Sequence, residues 1–334
     1  MPVIDVHAHL YDERYLEELG RILASPSTGV EQASAKQYAR TMGNPANWDV
    51  DERIGTMERI GLEYQVLSLS IPMSYDGDSA ARLRLAQGTN DRFAEVLRTH
   101  SKHFFAFATL PLPDVDASLK ELERCFEELG FVGACFGSNI RGMRLDHPDF
   151  APVFEEINRR GSTAFLHPNI PVCSGPDTAD FNISSGLAYV YDTGVTVYRM
   201  IMSGMLERYR QLSVIVPHLG GMLPYLTGRL DGGMRHTPGM AKPPSAYMAE
   251  LYYDTVSQHQ PALRLAKEQF GAEHLMLGSD YPLGSSPLED SVQFVRDADF
   301  TPAERDLVLG GNAARVLRLP VQRIGPPARG NPSA

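Results

Sequence analysis

Two of the chain's ten histidines stand two residues apart in Asp5-Val6-His7-Ala8-His9. Alternate side chains of a strand share a face, so His7 and His9 project the same way from one strand end. Two neutral imidazoles so placed can grip one divalent cation. Other apolar runs end alike: Phe165-Leu166 in His167, Val214-Ile215-Val216-Pro217 in His218, and Leu275-Met276-Leu277-Gly278-Ser279 in Asp280. Four histidines and an aspartate, all at strand ends, point to one metal-centred site rather than to scattered surface groups.

The elements that must position them are legible as short apolar runs. Eight strands are expected, at Val3–Ala8, Gln65–Ser70, Phe104–Thr109, Val132–Phe136, Ala164–His167, Ser213–Pro217, Leu251–Asp254 and Leu275–Gly278. Each reads as a strand buried on both faces. Helical patterns lie between them: Leu119, Leu122, Phe126 and Leu129 share one stripe, as do Phe150, Val153, Phe154 and Ile157. Thr301-Pro302-Ala303-Glu304 reads as a capping box opening a helix toward Leu317. Strand alternating with helix eight times is the pattern of a (β/α)8 TIM barrel, whose active site lies at the C-terminal rim. A doubly wound open sheet would want a Gly-rich turn after its first strand, where this chain has His-Ala-His-Leu.

The expected unit is one barrel over residues 1–319, followed by a Pro/Gly-rich tail at 320–334. Two connections, 11–50 after the first strand and 168–195 after the fifth, are long enough to serve as lids or binding loops. Phe181, Tyr189 and Tyr191 in the second could stack on a flat ring. The Met-rich run Tyr198–Met205 reads as helix core. The remaining histidines, at 100, 103, 147, 236, 259 and 274, read as solvated.

At 334 residues and 43% hydrophobic, the chain can bury a core without a disulfide or structural metal, so a bound metal would serve chemistry. A formal charge of -10 disfavours nucleic acid and anionic membranes as partners. Cys125, Cys135 and Cys173 have no CxxC spacing and read as reduced thiols. No apolar stretch is long enough to span a membrane, and the N-terminal residues lack the features of a signal peptide. A cytoplasmic protein is expected.

His7-Ala8-His9, Phe165-Leu166-His167-Pro168, Pro217-His218-Leu219-Gly220-Gly221 and Gly278-Ser279-Asp280-Tyr281-Pro282 carry a wider likeness. Through them the sequence resembles the amidohydrolase superfamily, in the branch that includes aminocarboxymuconate-semialdehyde decarboxylase. The resemblance runs from the first histidine pair to Gly311-Asn312-Ala313. It implies that His7, His9, His167 and Asp280 ligate one divalent metal, with His218 beside it as acid/base. Asp280 could also carry a proton, and spacing does not divide the proton steps between the two. Some relatives have Glu in place of the first histidine; keeping His7 favours zinc, with manganese as the alternative. The resemblance further implies that Arg53, after Trp48-Asp49, and Arg229, in Leu226–Asp231, hold a substrate carboxylate, Arg229 reaching across a homodimer. A planar guanidinium suits that task because it offers two parallel donors.

The implied activity is non-oxidative decarboxylation of an aromatic or ring-cleavage-derived unsaturated acid, without an organic cofactor. A hydrolase of a lactone or amide, or a hydratase of an unsaturated diacid, would use the same metal site, and product analysis separates the three. A non-catalytic barrel that senses a small acid or a metal would need no base beside the metal, which argues against it.

Overall fold

The computed structural model describes residues 1–24, 29–234, 240–284 and 286–320. The expected tail therefore lies, from residue 321 on, outside the described residues, as does His236. Eight parallel strands run in chain order: β1 (Ile4–His9), β2 (Tyr64–Ser68), β3 (Phe104–Ala108), β4 (Gly133–Gly137), β5 (Thr163–His167), β6 (Ser213–Val216), β7 (Tyr252–Asp254) and β8 (Leu275–Met276). The ring closes where Val6 N donates to Leu277 O at 2.9 Å, Asp280 N donates to His7 O at 2.8 Å, and Ala8 pairs with Tyr281. The fold is the expected (β/α)8 barrel, with every strand within a few residues of its expected place.

The strands form because almost every side chain in them is buried, as in all six residues of β1. Apolar residues on both faces leave no conformation that solvates one side. Phe107 and Phe165 stack inside the ring with centroids 5.2 Å apart, and Ile4, Val66, Ala134 and Ile215 join the same core. Helices start on aspartates: Asp49, Asp78 and Asp114 each accept a hydrogen bond from the backbone N–H three residues on. Such caps satisfy donors that the first helical turn leaves unpaired. The capping box at Thr301 and Glu304 is present. The helix it opens runs through a wider turn at Leu307–Gly311 to Val316.

The two long connections are more ordered than expected. Residues 11–50 hold α1 (Glu13–Ile22), α2 (Gly29–Met42) and the start of α3 (Val50–Ile60). Tyr15, Leu16, Leu19 and Leu23 line one stripe of this segment and pack with Tyr11, Leu69 and Leu85 in a second small core. The 168–195 connection runs into α4 (Tyr189–Met202), where Met200 is core, as expected of the Met-rich run. No helix of the described residues is long and apolar enough to cross a membrane.

Candidate metal centre and active site

The C-terminal rim of the ring gathers the expected residues. His9 and His167 are the last residues of β1 and β5, His218 follows β6 by two residues, and Asp280 follows β8 by four. One ligand atom from each of His7, His9, His167 and Asp280 lies within 4.8 Å of the other three. His7 Nε2 is 3.0 Å from His9 Nε2, and Asp280 Oδ1 is 2.9 Å from His9 Nε2 and 3.3 Å from His7 Nε2.

The far side of each ring explains this convergence. His7 Nδ1 donates to Asp254 Oδ2 at 2.6 Å, His9 Nδ1 to Ser68 O at 3.3 Å, and His167 Nδ1 to Pro168 O at 2.8 Å. A carbonyl or carboxylate can only accept, so Nδ1 of His7 and of His167 carries the hydrogen; His9 Nδ1 also lies 3.1 Å from Ser68 Oγ, a hydroxyl that can donate or accept. In the neutral ring the Nε2 lone pair is then left facing the centre. Three converging lone pairs and a carboxylate are the donor set of a divalent cation, with the outer hydrogen bonds fixing each tautomer. The residues present fit such an ion.

Electrostatics agrees. Burial, with the neighbouring rings, holds His167 well below the ordinary histidine value, and burial likewise lowers His9, so both favour the neutral form. Burial also opposes charge on His7, but the carboxylates of Asp254 and Asp280 outweigh it and raise the ring to about 10. Two acids thus draw positive charge to this point. Burial alone would raise Asp280, yet His7 and hydrogen bonds from the rings hold it well below the usual carboxylate range.

The His218 ring packs beside the others, its centroid 5.4 Å from that of His7 and 6.5 Å from that of His167. Its Nε2 is 3.6 Å from Asp280 Oδ2, while its Nδ1 is buried without a hydrogen-bond partner. Nε2 is therefore the nitrogen that faces Asp280 and the cavity, while Nδ1 is enclosed.

A cavity of about 260 Å³ opens over these residues, with His167, His218 and Asp280 on its floor. Ser70 and Gln37 add polar edges, and Ile71, Val190 and Leu283 add apolar wall. That volume suits one ring-sized molecule. Of the three aromatics expected to stack on a ring, only Tyr189 lines it; Phe181 is 95% exposed and Tyr191 45%.

The two arginines are not brought into the cavity. Arg53 is wholly buried on α3, beneath the rim. Its guanidinium donates to His9 O at 2.6 Å, Gln65 Oε1 at 3.2 Å and Ala46 O at 3.3 Å, and lies 4.8 Å from the Tyr281 ring centre. Arg53 thus braces the end of β1 and does not line the cavity. Burial lowers it to about 10, which leaves it charged at neutral pH. Arg229 is exposed on the outer helix Leu223–Gly233, beside Tyr225 at 83% exposure, and does not line its own chain's cavity.

Two acids went unread in the sequence. Asp254 ends β7 behind His7, and the signal was there: an acid closing an apolar run, as Asp280 does. Asp5 accepts from His7 N, Ser279 N, Ser279 Oγ and Gln65 Nε2, stitching β1 to β2 and to the segment after β8. Burial pushes it up to about 6 despite those bonds. Among the other histidines, His274 is not simply solvated, since its Nδ1 donates to Leu251 O at 2.9 Å.

Comparison with known proteins places this geometry in context. The chain is 30% identical over 279 residues to 2-amino-3-carboxymuconate-6-semialdehyde decarboxylase of Dictyostelium discoideum, covering 81% of this chain and 77% of that one. Its structure is similar to that of 5-carboxyvanillate decarboxylase from Sphingomonas paucimobilis, with a TM-score of 0.89, 26% identity and coverage of 95% and 99%. It also resembles a dihydroxybenzoic acid decarboxylase from Polaromonas sp. JS666 with bound manganese and the inhibitor 2-nitroresorcinol, with a TM-score of 0.79, 25% identity and coverage of 95% and 97%. A family profile described as Amidohydrolase matches residues 4–319, from the first strand to the last described helix, and the chain belongs to that family.

Proposed function

We propose that this chain is a metal-dependent, non-oxidative carboxy-lyase acting on a small aromatic or ring-cleavage-derived unsaturated acid. The observation that carries the proposal is the contrast among the four rim histidines. Three have Nδ1 turned outward and Nε2 toward a common centre, and the fourth turns Nε2 to Asp280 beside that centre. The decarboxylases to which the chain is similar support the reaction class, and the cavity suits a single ring.

In this reading His7, His9, His167 and Asp280 hold one divalent cation. Bound there, it supplies positive charge that withdraws electron density from substrate oxygens. Zinc is the ion expected from His7; manganese, bound in the Polaromonas relative, suits the same donors, and elemental analysis separates them. Ser70 and Gln37 take the polar edges of the substrate, while Ile71, Val190 and Leu283 enclose its ring and exclude water. His218 delivers a proton to the carbon bearing the carboxylate. As the C–C bond breaks, carbon dioxide leaves and its electron pair restores conjugation in the ring. Asp280 Oδ2 steadies the charged His218 ring beforehand and lies on the route by which it is reprotonated. No pyridoxal, thiamine or flavin is invoked.

The proposal extends to a cytoplasmic homodimer in which exposed Arg229 reaches the partner's cavity and meets the substrate carboxylate. Residues 1–319 form the working unit. Mixing inactive Arg229→Ala and His218→Ala chains should restore part of the activity if the arginine is shared, and none if it is not.

Purified protein reconstituted separately with zinc and manganese should release CO2 from one or more acids in a panel of hydroxybenzoates and carboxymuconate semialdehydes, with no organic cofactor added. Ring opening or hydration without CO2 release, from lactones or unsaturated diacids tested alongside, would overturn the assignment.

A further inference from the structure

Asp254 has no exposed surface, and its two oxygens face different parts of the site. Oδ2 accepts from His7 Nδ1 at 2.6 Å. Oδ1 accepts from His218 N at 2.7 Å and from Val256 N at 3.0 Å. The backbone held at His218 is unusual. His218, Leu219, Gly220 and Gly221 have φ of 57°, 52°, 76° and 60°, four consecutive residues in a region that side chains with a Cβ rarely adopt. Strain of this kind persists only where the surroundings over-determine it.

Packing supplies part of that constraint. A Cβ on Gly220 would lie 2.9 Å from the Tyr253 ring, and one on Gly221 would lie 2.8 Å from Val190 O. The turn is thus pressed between β7 and the wall of the cavity. The His218 side chain adds no anchor through Nδ1, which has no partner. The hydrogen bond from the His218 amide to Asp254 is what ties the first left-handed residue to β7.

We propose that Asp254 is a positioning residue that sets two functions from one carboxylate. Through Oδ2 it fixes the tautomer and orientation of His7; through Oδ1 it holds the left-handed turn that presents His218. The inference rests on the reading of His7 as a ligand and His218 as the proton carrier. It adds a coupling between them: what disturbs the metal side also shifts the proton carrier.

Asp254→Asn tests it, because an amide offers one acceptor and one donor where the carboxylate offers two acceptors. With its oxygen toward His7, its NH2 opposes the His218 N–H. With its NH2 toward His7, the ring must carry its hydrogen on Nε2, where the lone pair is needed. The variant should bind zinc or manganese about 10- to 100-fold more weakly by chelator competition. At saturating metal it should still lose about 10-fold or more in kcat, and the amide of residue 218 should exchange faster with solvent.

Unchanged metal affinity and unchanged exchange in a folded Asp254→Asn variant would overturn the proposal. If His7→Ala also kept full metal affinity, the ligand assignment itself would fall instead. Should the Asn variant not fold, 15N-histidine labelling of the wild-type holoprotein still decides. The proposal requires a protected His218 amide and a hydrogen on His7 Nδ1; a freely exchanging amide, or a His7 hydrogen on Nε2, refutes it.

Discussion

Arg53→Met separates the two roles available to the buried arginine. Methionine keeps much of the stem's volume but removes the guanidinium. His9 O, Gln65 Oε1 and Ala46 O, now bonded at 2.6, 3.2 and 3.3 Å, would all lose a donor. Leaving a buried acceptor unpaired costs about 1–3 kcal/mol, and the shortest of these bonds stands at the upper end. The contact with the Tyr281 ring at 4.8 Å adds about 1 kcal/mol. Against this, the variant no longer has to bury a charge, which returns part of the loss. A net destabilisation of about 3 kcal/mol follows, or a fall in Tm of about 4 °C for a chain of this size. The assay pairs thermal unfolding with metal content and steady-state kinetics. The expected pattern is a clear loss of stability with KM for the acid changed less than about threefold. Had the guanidinium held the substrate, losing a charged hydrogen bond of about 1.5–3 kcal/mol would raise KM by about 10- to 100-fold. A variant that melts with wild type yet shows that rise in KM would refute the bracing role.

Further outcomes follow from the same geometry. His218→Asn should leave metal content near one ion per chain while lowering turnover by about 10²- to 10⁴-fold; turnover within tenfold of wild type would remove His218 from the proton step. Asp192 accepts from Ser138 Oγ at 2.6 Å, Arg144 Nη2 at 2.8 Å, Asn139 Nδ2 at 2.9 Å and Val172 N at 3.2 Å, tying the segments after β4 and β5 to α4 near Tyr189 and Val190. Asp192→Ala should therefore cost about 3–5 kcal/mol in urea unfolding and raise KM, and an unchanged KM would detach this cluster from the cavity wall. Cys125 and Cys135 are buried, and burial pushes both thiols far above their ordinary value, whereas Cys173 is exposed. Native protein at pH 8 should label rapidly at one thiol and, after denaturation, at three; two fast thiols in the folded state would contradict the packing.

What the sequence discloses about this barrel follows from how its parts are buried. Strands covered on both faces, such as Phe104–Ala108, must be nearly all apolar, so each shows as a run that turn residues end. A polar residue closing such a run is conspicuous, which is why His9, His167 and Asp280 were readable as rim residues. Helices α1 and α2 were less readable, because their apolar stripe packs on a small separate core of Tyr11, Leu69 and Leu85 rather than on the main one. Arg53 shows the limit of motif spacing. Its place after Trp48-Asp49 locates it on the first helical turns of α3, but only the docking of that helix decides that the side chain passes under His9 instead of into the cavity.

The same limit applies, with more consequence, to the four histidines. Their residue type is identical, and all four stand within two residues of a strand end. What divides them is the group behind each ring: a carboxylate at β7, the carbonyl and hydroxyl of Ser68 at the end of β2, the carbonyl of Pro168, and for His218 no side-chain or backbone partner at Nδ1 among the described residues. A partner that only accepts forces the hydrogen onto Nδ1 and leaves Nε2 as a lone pair, which suits a ligand and obstructs a proton carrier. His218 has no such partner at Nδ1 and turns Nε2 to Asp280, so the nitrogen facing the cavity is the one placed to carry a proton. In the proposed reading, the division of labour at this rim follows from the outer hydrogen bonds. Exchanging those partners, rather than the histidines themselves, is the perturbation that should convert one role toward the other.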